Sequence, residues 1–345
     1  MQLFINTYGT YVHVKDEMFE IRVPVEGETK EYRKHHFSAK KVTNILMPKS
    51  AALSTDAVIL ALKHNVDIVF VDFDGQPLGR VWHSKLGSTT RIRKAQLEAS
   101  MGQEGLKWII DWVGTKIENQ IELISDLKKH RQSMREYLDT RLAQIKNMHV
   151  SLCQIKSQSV KEVADTIRGL EGTSGRLYFE VLSSSLPEIY RFNGRSSRPA
   201  KDPFNAFLNY AYGILYGKIE KCLIIAGLDP YLGFMHRDDY NQLSMVFDFI
   251  EPYRIYCDTL VFRLFSAKKV NKSHTDAITQ GFSLNKNGKE LLVNAFNNYF
   301  DTDTIRYRGR NQTRSNAIQM DAHAFANALL KSDARDVLEI KTETI

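Results

Sequence analysis

Trp108-Ile109-Ile110-Asp111-Trp112-Val113-Gly114-Thr115-Lys116-Ile117 is where the pattern of this chain changes. Apolar positions recur at steps of three and four through Trp108, Ile109, Trp112, Ile117, Ile121 and Ile124, with Lys116 adding its aliphatic stem. That spacing draws one apolar stripe down a cylinder and predicts a long amphipathic helix. From Arg91 to about residue 330 most of the chain reads the same way. Short breaks fall at Gly169, Gly172, Pro187, Pro199 and Asp202-Pro203. Upstream the period is two. Leu3-Phe4-Ile5, Tyr11-Val12-His13-Val14, Phe19 to Val23, Val42 to Met47 and Val66 to Val71 read as strands. Ser54 is placed to cap a short helix through Ala57 to Leu62. Tyr11, His13 and Arg22 read as sheet-surface residues. The expectation is an α+β chain: a small β-rich domain over 1–85, a linker at 86–95, a larger all-α domain over 96–330, and a frayed polar tail at 331–345.

The chain has 345 residues, enough for two cores, with 43% hydrophobic and 25% charged residues. Its net charge is +7 and its isoelectric point is about 9.1. That balance suits a polyanionic partner, nucleic acid above all. Cys153, Cys222 and Cys257 make no CxxC pair and read as reduced thiols. The strand-like run at Met1 to Ile5 leads us to expect no signal peptide, and no apolar run approaches the ~18 residues that span a bilayer. No membrane association and a cytoplasmic location are expected.

The chemistry-bearing residues lie in the second half. Asp248 and Glu251 stand three apart after an apolar run, which at helical spacing puts both on one face. The plain alternative is an acidic edge with Arg254 paired to Glu251. His236 closes Tyr231-Leu232-Gly233-Phe234-Met235, where a histidine is more often structural than a ligand. Asp238 and Asp239, just beyond it, read as partners orienting the imidazole or as an ordinary polar loop. Glu171 lies between Gly169 and Gly172, which suggests a helix start with the glutamate serving the helix dipole. One imidazole with two or three carboxylates would suit Mg²⁺ or Mn²⁺. Residues 191–201 place Arg191, Arg195, Arg198 and Lys201 among small polar residues, a candidate phosphate-contacting loop. Arg306-Tyr307-Arg308-Gly309-Arg310, with Arg314, is a second basic cluster. Either could equally be a solvated loop. His236-Arg237-Asp238 and Asp72-Phe73-Asp74-Gly75 mimic kinase signatures, but in reversed order and without a phosphate loop.

These segments, taken in order, resemble a family. Leu170-Glu171-Gly172 with Tyr178-Phe179, then Arg198-Pro199 with Lys201-Asp202-Pro203 and Asn205-Ala206, fit it. So do Ala211-Tyr212 with Leu215-Tyr216, Gly227-Leu228-Asp229-Pro230 through His236, and Ser244 with Asp248 through Arg254. The chain is similar to the CRISPR-associated endonuclease that integrates new spacers. The match spans most of residues 170–265, with a weaker one at Ser54 to Ala57 and Val66 to Phe70. The resemblance implies an N-terminal β domain that mediates homodimerisation and a C-terminal helical catalytic domain. It implies a heterohexamer in which two dimers flank a dimer of a small ferredoxin-like CRISPR-associated protein. It assigns Glu171, His236 and Glu251 to a divalent metal, Mg²⁺ or Mn²⁺, with Asp248 as supporting or alternative ligand. It implies insertion of short DNA fragments into the array by attack of a 3′-hydroxyl on the repeat boundary, and nicking of double-stranded and branched DNA. A general repair nuclease for branched DNA and a non-catalytic DNA-binding scaffold remain the alternatives.

Overall fold

In the computed structural model, residues 2–25, 31–72, 77–81, 89–236 and 242–342 are described. The N-terminal region is strand-rich and the remainder mainly helical. The strands are β1 (Gln2–Phe4), β2 (Tyr11–Lys15), β3 (Met18–Pro24), β4 (Tyr32–Ser38), β5 (Asn44–Pro48) and β6 (Ala52–Leu53). Helix α1 (Thr55–Lys63), β7 (Asp67–Val71) and β8 (Pro77–Val81) follow. They form two four-stranded sheets of order β4-β3-β2-β6 and β1-β5-β7-β8. Val12, Phe19, Ile21, Ile45, Met47, Ala57 and Ile68 fill the core between them. Ser54 caps α1, its side chain accepting from the Ala57 N–H at 3.2 Å.

Three of these strands, β4, β6 and β8, escape the sequence reading. β4, with its run Arg33-Lys34-His35-His36, lies at a sheet edge and is largely exposed, where charge blunts further pairing. It also completes a buried polar cluster. Glu20 is fully buried on β3 and stands opposite His13 on β2 and His36 on β4. It accepts from His13, Arg22 and His36, each at 2.8 Å. The Arg22 hydrogen bond does most to hold its carboxyl down, at about 2, against burial. His13 and Arg22 are therefore partners of a buried acid, more than surface decoration.

The helical part comprises α2 (Thr89–Ser100), α3 (Gln103–Lys129), α4 (Arg135–Cys153), α5 (Val160–Ser184), α6 (Pro203–Ile225), α7 (Ser244–Phe249) and α8 (Arg254–Ser266). It continues with β9 (Thr275–Ile278), β10 (Gly281–Leu284), α9 (Lys286–Asn297), β11 (Thr304–Tyr307), β12 (Arg310–Thr313) and α10 (Arg314–Thr342). The stretch that opened this reading is α3, and its stripe is buried: Ile109, Trp112, Val113, Ile117 and Ile124. Trp112 stacks with Phe234 and packs edge-on against Phe249 and Phe325, so α3 is the post on which the later elements hang.

Three details differ from expectation. α2 begins at Thr89, inside the stretch read as a linker. The part expected to be all-α carries two antiparallel hairpins, β9–β10 and β11–β12. Their strands are only four residues long and mostly polar, so they lack an alternating apolar signal. The backbone of α10 is helical to Thr342, where a frayed tail was expected; Ala, Leu, Lys and Glu there favour helix. No helix among the described residues is long and apolar enough to cross a membrane.

The β region is tied to α6. Arg80 pairs with Glu220 at 2.6 Å and donates to the Gly217 carbonyl at 3.2 Å. Lys221 donates to the Thr43 carbonyl at 2.7 Å.

Candidate metal centre and basic loop

α3 brings Lys116 inward from the same stripe that buries Ile109 and Ile117. Its ammonium meets two carboxylates. It pairs with Glu171 Oε1 on α5 and lies 2.6 Å from Glu251 Oε2. Burial alone would favour loss of its proton, but the charges of Glu251 and Glu171 outweigh it and raise its pKa. Glu251 sits in a 3₁₀ turn, Glu251–Tyr253, immediately after α7, and is 2% exposed. Burial raises its pKa, yet Arg254 and Lys116 together hold it well below the usual range. Arg254 Nε donates to Glu251 Oε1 at 2.9 Å. The i, i+3 pair read from the sequence is thus present, but it is buried, not a solvated edge. Asn119 on α3 fixes the turn by donating to the Pro252 carbonyl at 2.9 Å.

Glu171 does not start a helix. α5 runs unbroken from Val160 to Ser184 through Gly169 and Gly172. A glycine in a helix costs roughly 1 kcal/mol against alanine, and burial of Ile167, Leu177, Tyr178, Val181 and Leu182 on the same helix exceeds that.

His236 is positioned by Asp248, which is 1% exposed. The Asp248 carboxylate accepts from the backbone N–H groups of Phe234, Met235 and His236 at 2.6, 3.0 and 3.2 Å. It also lies 2.6 Å from His236 Nδ1. A carboxylate can only accept, so Nδ1 carries a proton, and in the neutral imidazole Nε2 is left as a lone-pair donor. Burial lowers the His236 pKa, but the Asp248 hydrogen bond and charge, with the charges of Glu251 and Glu171, raise it overall. Asp248 and Glu251 do not share a helix face: α7 ends at Phe249, so the first turns back to the His236 loop while the second turns toward α3.

The loop before His236 is held in two ways. A Cβ on Gly233 would come 2.6 Å from Ser244 Cβ and 3.0 Å from Asp248 Oδ2, so only glycine lets this backbone reach the carboxylate. Gln96, fully buried on α2, donates to the carbonyls of Asp229 and Leu232 at 2.9 and 2.8 Å. It accepts from the Asp229 N–H at 2.8 Å. Asp238 and Asp239 lie outside the described residues.

The site therefore sets two carboxylates on one lysine, with the His236 imidazole near enough for both carboxylate charges to act on it. Among the described residues, no three His, Cys, Asp or Glu side chains already converge closely enough to hold a metal ion. The donor set nonetheless suits a hard divalent cation. Both glutamates face one positive charge, and Glu251 Oε2 is sealed from solvent without a well-directed hydrogen bond. The sequence reading credited Lys116 only with its stem. The signal was there: a lysine on a stripe that is otherwise Ile and Trp needs a buried anion. Gln96 carried no such signal, because its partners are backbone carbonyls brought together by the fold.

Behind Glu251 the polar network continues. Arg254 lies over the Tyr212 ring at 5.0 Å, and Arg195 over the same ring at 5.4 Å. The Tyr212 hydroxyl donates to the buried Asp258 at 2.5 Å. Burial pushes the Asp258 carboxyl up to about 6 even against that hydrogen bond.

In the basic loop, Arg195 is turned inward and donates to the Ser196 carbonyl and to Asn205 Oδ1. Burial lowers its pKa. Lys201 is exposed and donates to the Gln280 carbonyl at 3.1 Å. Arg191 and Arg198 are exposed and have no side-chain partner among the described residues. A cleft of about 980 Å³ opens between this loop, α6 and α7, with Arg198, Tyr212, Tyr216 and Phe247 in its walls. The His236 ring lies 5.7 Å from that of Phe247, so the imidazole stands behind the cleft wall without lining it.

Comparisons with known proteins bear on the family and the fold. A family model described as CRISPR associated protein Cas1 matches residues 3–298. A CRISPR-associated endonuclease Cas1 of Archaeoglobus fulgidus is 32% identical over 346 residues, covering 97% of this chain and 98% of its own length. A casposase bound to integration product has a TM-score of 0.80 and 24% identity, over 96% of this chain and 91% of that one. A chain of a Cas6-RT-Cas1–Cas2 complex has a TM-score of 0.77 and 18% identity, over 96% of this chain and 35% of that one. These two structural likenesses establish a shared fold.

Proposed function

Since the chain belongs to the CRISPR-associated Cas1 family, we propose that it is a divalent-metal-dependent DNA endonuclease and integrase that inserts short DNA fragments into a CRISPR array as new spacers. The observation that carries this reading is the meeting of Glu171 and Glu251 at one buried cation, Lys116, with His236 near enough to feel the charge of both carboxylates. In the proposed enzyme Glu171, Glu251 and His236 Nε2 would hold Mg²⁺ or Mn²⁺. When bound, the metal would offset charge on the phosphate oxygens of the DNA and assist the attacking or leaving oxygen.

The protein's own residues do the rest. Asp248 fixes the imidazole with its proton on Nδ1, so that Nε2 faces the site. Arg254 keeps Glu251 ionised and immobile. Lys116 supplies a positive charge where a phosphate would add a negative one. Arg191, Arg198 and Lys201 contact the phosphate backbone at the mouth of the cleft; Arg195 supports the loop from inside. A 3′-hydroxyl of the incoming fragment attacks the phosphodiester at the repeat boundary. One P–O bond forms, one breaks, and the leaving 3′-oxygen takes up a proton.

The proposed enzyme works in the cytoplasm as a homodimer, and its β domain makes the dimer contact. Two dimers flank a dimer of a small ferredoxin-like partner, as the presence of a Cas1–Cas2 assembly among the structural neighbours suggests. The test is strand transfer of a short duplex with free 3′-hydroxyls into a repeat-bearing plasmid, comparing the native protein with Glu251→Gln and with EDTA-treated protein. Transfer should require the metal and Glu251. Full activity in either control would sink the proposal. Cleavage of branched DNA with no repeat dependence would point to the repair nuclease.

A further inference from the structure

The second basic cluster, at residues 306–314, is not used by the site described above. It is the β11–β12 hairpin. Residues 304–313 contain three arginines and no acid. The turn residues Arg308 and Gly309 both have left-handed backbones, with φ of 46° and 79°. Two such residues make the hairpin turn whose twist matches the strands. Glycine takes that backbone freely, while arginine at the first position is disfavoured by its Cβ.

The hairpin is bolted to the catalytic turn. Asp321 on α10 accepts from the Tyr307 hydroxyl and from Arg308 at 2.8 Å through one oxygen. Its other oxygen accepts from the Tyr253 hydroxyl at 2.9 Å. Tyr253 closes the 3₁₀ turn that begins with Glu251. The base of the hairpin is fixed as well. Arg314 donates to the Tyr299 carbonyl at 2.8 Å and stacks 3.6 Å over the Tyr299 ring. Lys218 and Ser315 both bind Asp301.

What this rigid mount presents is positive and uncommitted. The strand register pairs Arg306 with Asn311 and Tyr307 with Arg310. Ile305, Tyr307 and Gln312 are half-buried on one face, whose fourth residue, Arg310, is exposed beside the turn, while Arg306 and Asn311 are exposed on the other face. Arg306 and Arg310 have no partner among the described residues. Arginines that merely stabilised the fold would be spent on acids, as Arg308 is on Asp321. Two-stranded ribbons of this width enter or track DNA grooves, and arginines bind phosphates there.

We propose that the β11–β12 hairpin is an arm that grips duplex DNA by its phosphates and, through the Tyr307–Asp321–Tyr253 link, sets the position of that duplex relative to Glu251. This rests on the DNA-processing reading above. The test uses the full-length protein and a repeat-bearing duplex, with equilibrium binding measured across a salt series. Arg306→Gln/Arg310→Gln should lower affinity about tenfold at low salt and reduce the slope of log K against log[salt] by about 2, since each phosphate contact contributes roughly 0.9. Its thermal unfolding should match the native protein. Tyr307→Phe removes one link to Asp321 and keeps Tyr253–Asp321; affinity should hold within about twofold while strand transfer at saturating DNA falls. An unchanged salt slope in the double variant overturns the proposal, and so does a slope that is unchanged while binding to a purified partner protein is lost. If the native protein shows no metal-dependent DNA chemistry but the double variant still loses slope, the arm stands and the proposed activity falls.

Discussion

Replacing Lys116 by glutamine tests the electrostatic logic of the site most directly. Four charges sit together: Lys116 and Arg254 against Glu171 and Glu251, which sum to zero. Without metal, the variant leaves two carboxylates to one guanidinium. Removing one partner from a buried ion pair costs about 3–5 kcal/mol. Glu251 keeps Arg254 and Glu171 is partly solvated, so about 3 kcal/mol is a fair figure. Unfolding entropy near 2.1 cal/mol/K per residue, over a helical part of roughly 250 residues, gives about 0.5 kcal/mol/K. The variant in EDTA should therefore melt about 6 °C below the native protein. With metal the order should change. A divalent cation close to Nζ meets repulsion of about 4 kcal/mol per unit charge at 4 Å and an effective dielectric near 20. Lys116 is 15% exposed at its side chain and can swing away, so the native cost falls to that of one broken charged hydrogen bond, about 1.5–3 kcal/mol. Lys116→Gln should bind Mn²⁺ about 10- to 100-fold more tightly by electron paramagnetic resonance titration. Saturating Mn²⁺ should also lift its melting temperature further than that of the native protein. Lys116→Arg should show no gain in affinity. A Mn²⁺ affinity within twofold of native, together with a melting deficit that metal does not repair, would refute the idea that lysine and metal compete for one place.

Asp248→Asn should leave the imidazole without its charged acceptor and lower Mn²⁺ affinity about 10- to 100-fold, the usual effect of losing an orienting carboxylate; a titration matching the native protein would mean that His236 needs no such support. Asp258 gives a pH signature. Its carboxyl is raised from 3.8 to about 6, so folding favours its neutral form. That contribution is fully present below 3.8 and is lost as pH climbs through about 6, some 3 kcal/mol in all. Glu20 acts in the other direction: held at about 2, it adds stability that is complete above 4.5 and disappears as pH falls toward 2. Urea unfolding between pH 4.5 and 7 isolates the first effect, and Asp258→Asn should remove that share of the slope. An identical slope in the variant would show that Asp258 is ionised throughout.

The sequence made the architecture legible where a period could be read. The stripe of α3, the alternation in β2 and β3, and the Ser54 cap all appear where their patterns place them. What it hid were elements whose reason lies elsewhere in the molecule. β4 shows no apolar alternation because its run from Tyr32 to His36 is exposed, and His36 serves an acid on the neighbouring strand. α5 looks broken at Gly169 because packing, not propensity, carries a helix through its glycines. The candidate site shows the same division. Residue types and order suggested Glu171, His236 and Glu251, but only coordinates divide the labour between Asp248, saturated by four donors, and Glu251, which faces the cation. Lys116 and Gln96 act across 55 and 133 residues of sequence, beyond the reach of any local pattern.

The zero net charge of the Lys116–Arg254–Glu171–Glu251 group has a consequence for when metal enters. Placing a divalent ion among balanced charges, with Lys116 displaced but still nearby, leaves an excess of two beside the buried Glu251. A buried excess is costly unless compensated, and the nearest available anions are phosphates of DNA arriving through the cleft past Arg198. Metal and DNA should then bind with positive coupling, each supplying the charge the other needs, and the coupling is reciprocal by linkage. The prediction is that a repeat duplex tightens Mn²⁺ binding to the native protein by at least tenfold, and by much less in Lys116→Gln, whose own deficit of positive charge already welcomes the ion. Equal tightening in both proteins would mean that the phosphate acts as a direct ligand and that charge balance within the protein does not govern entry.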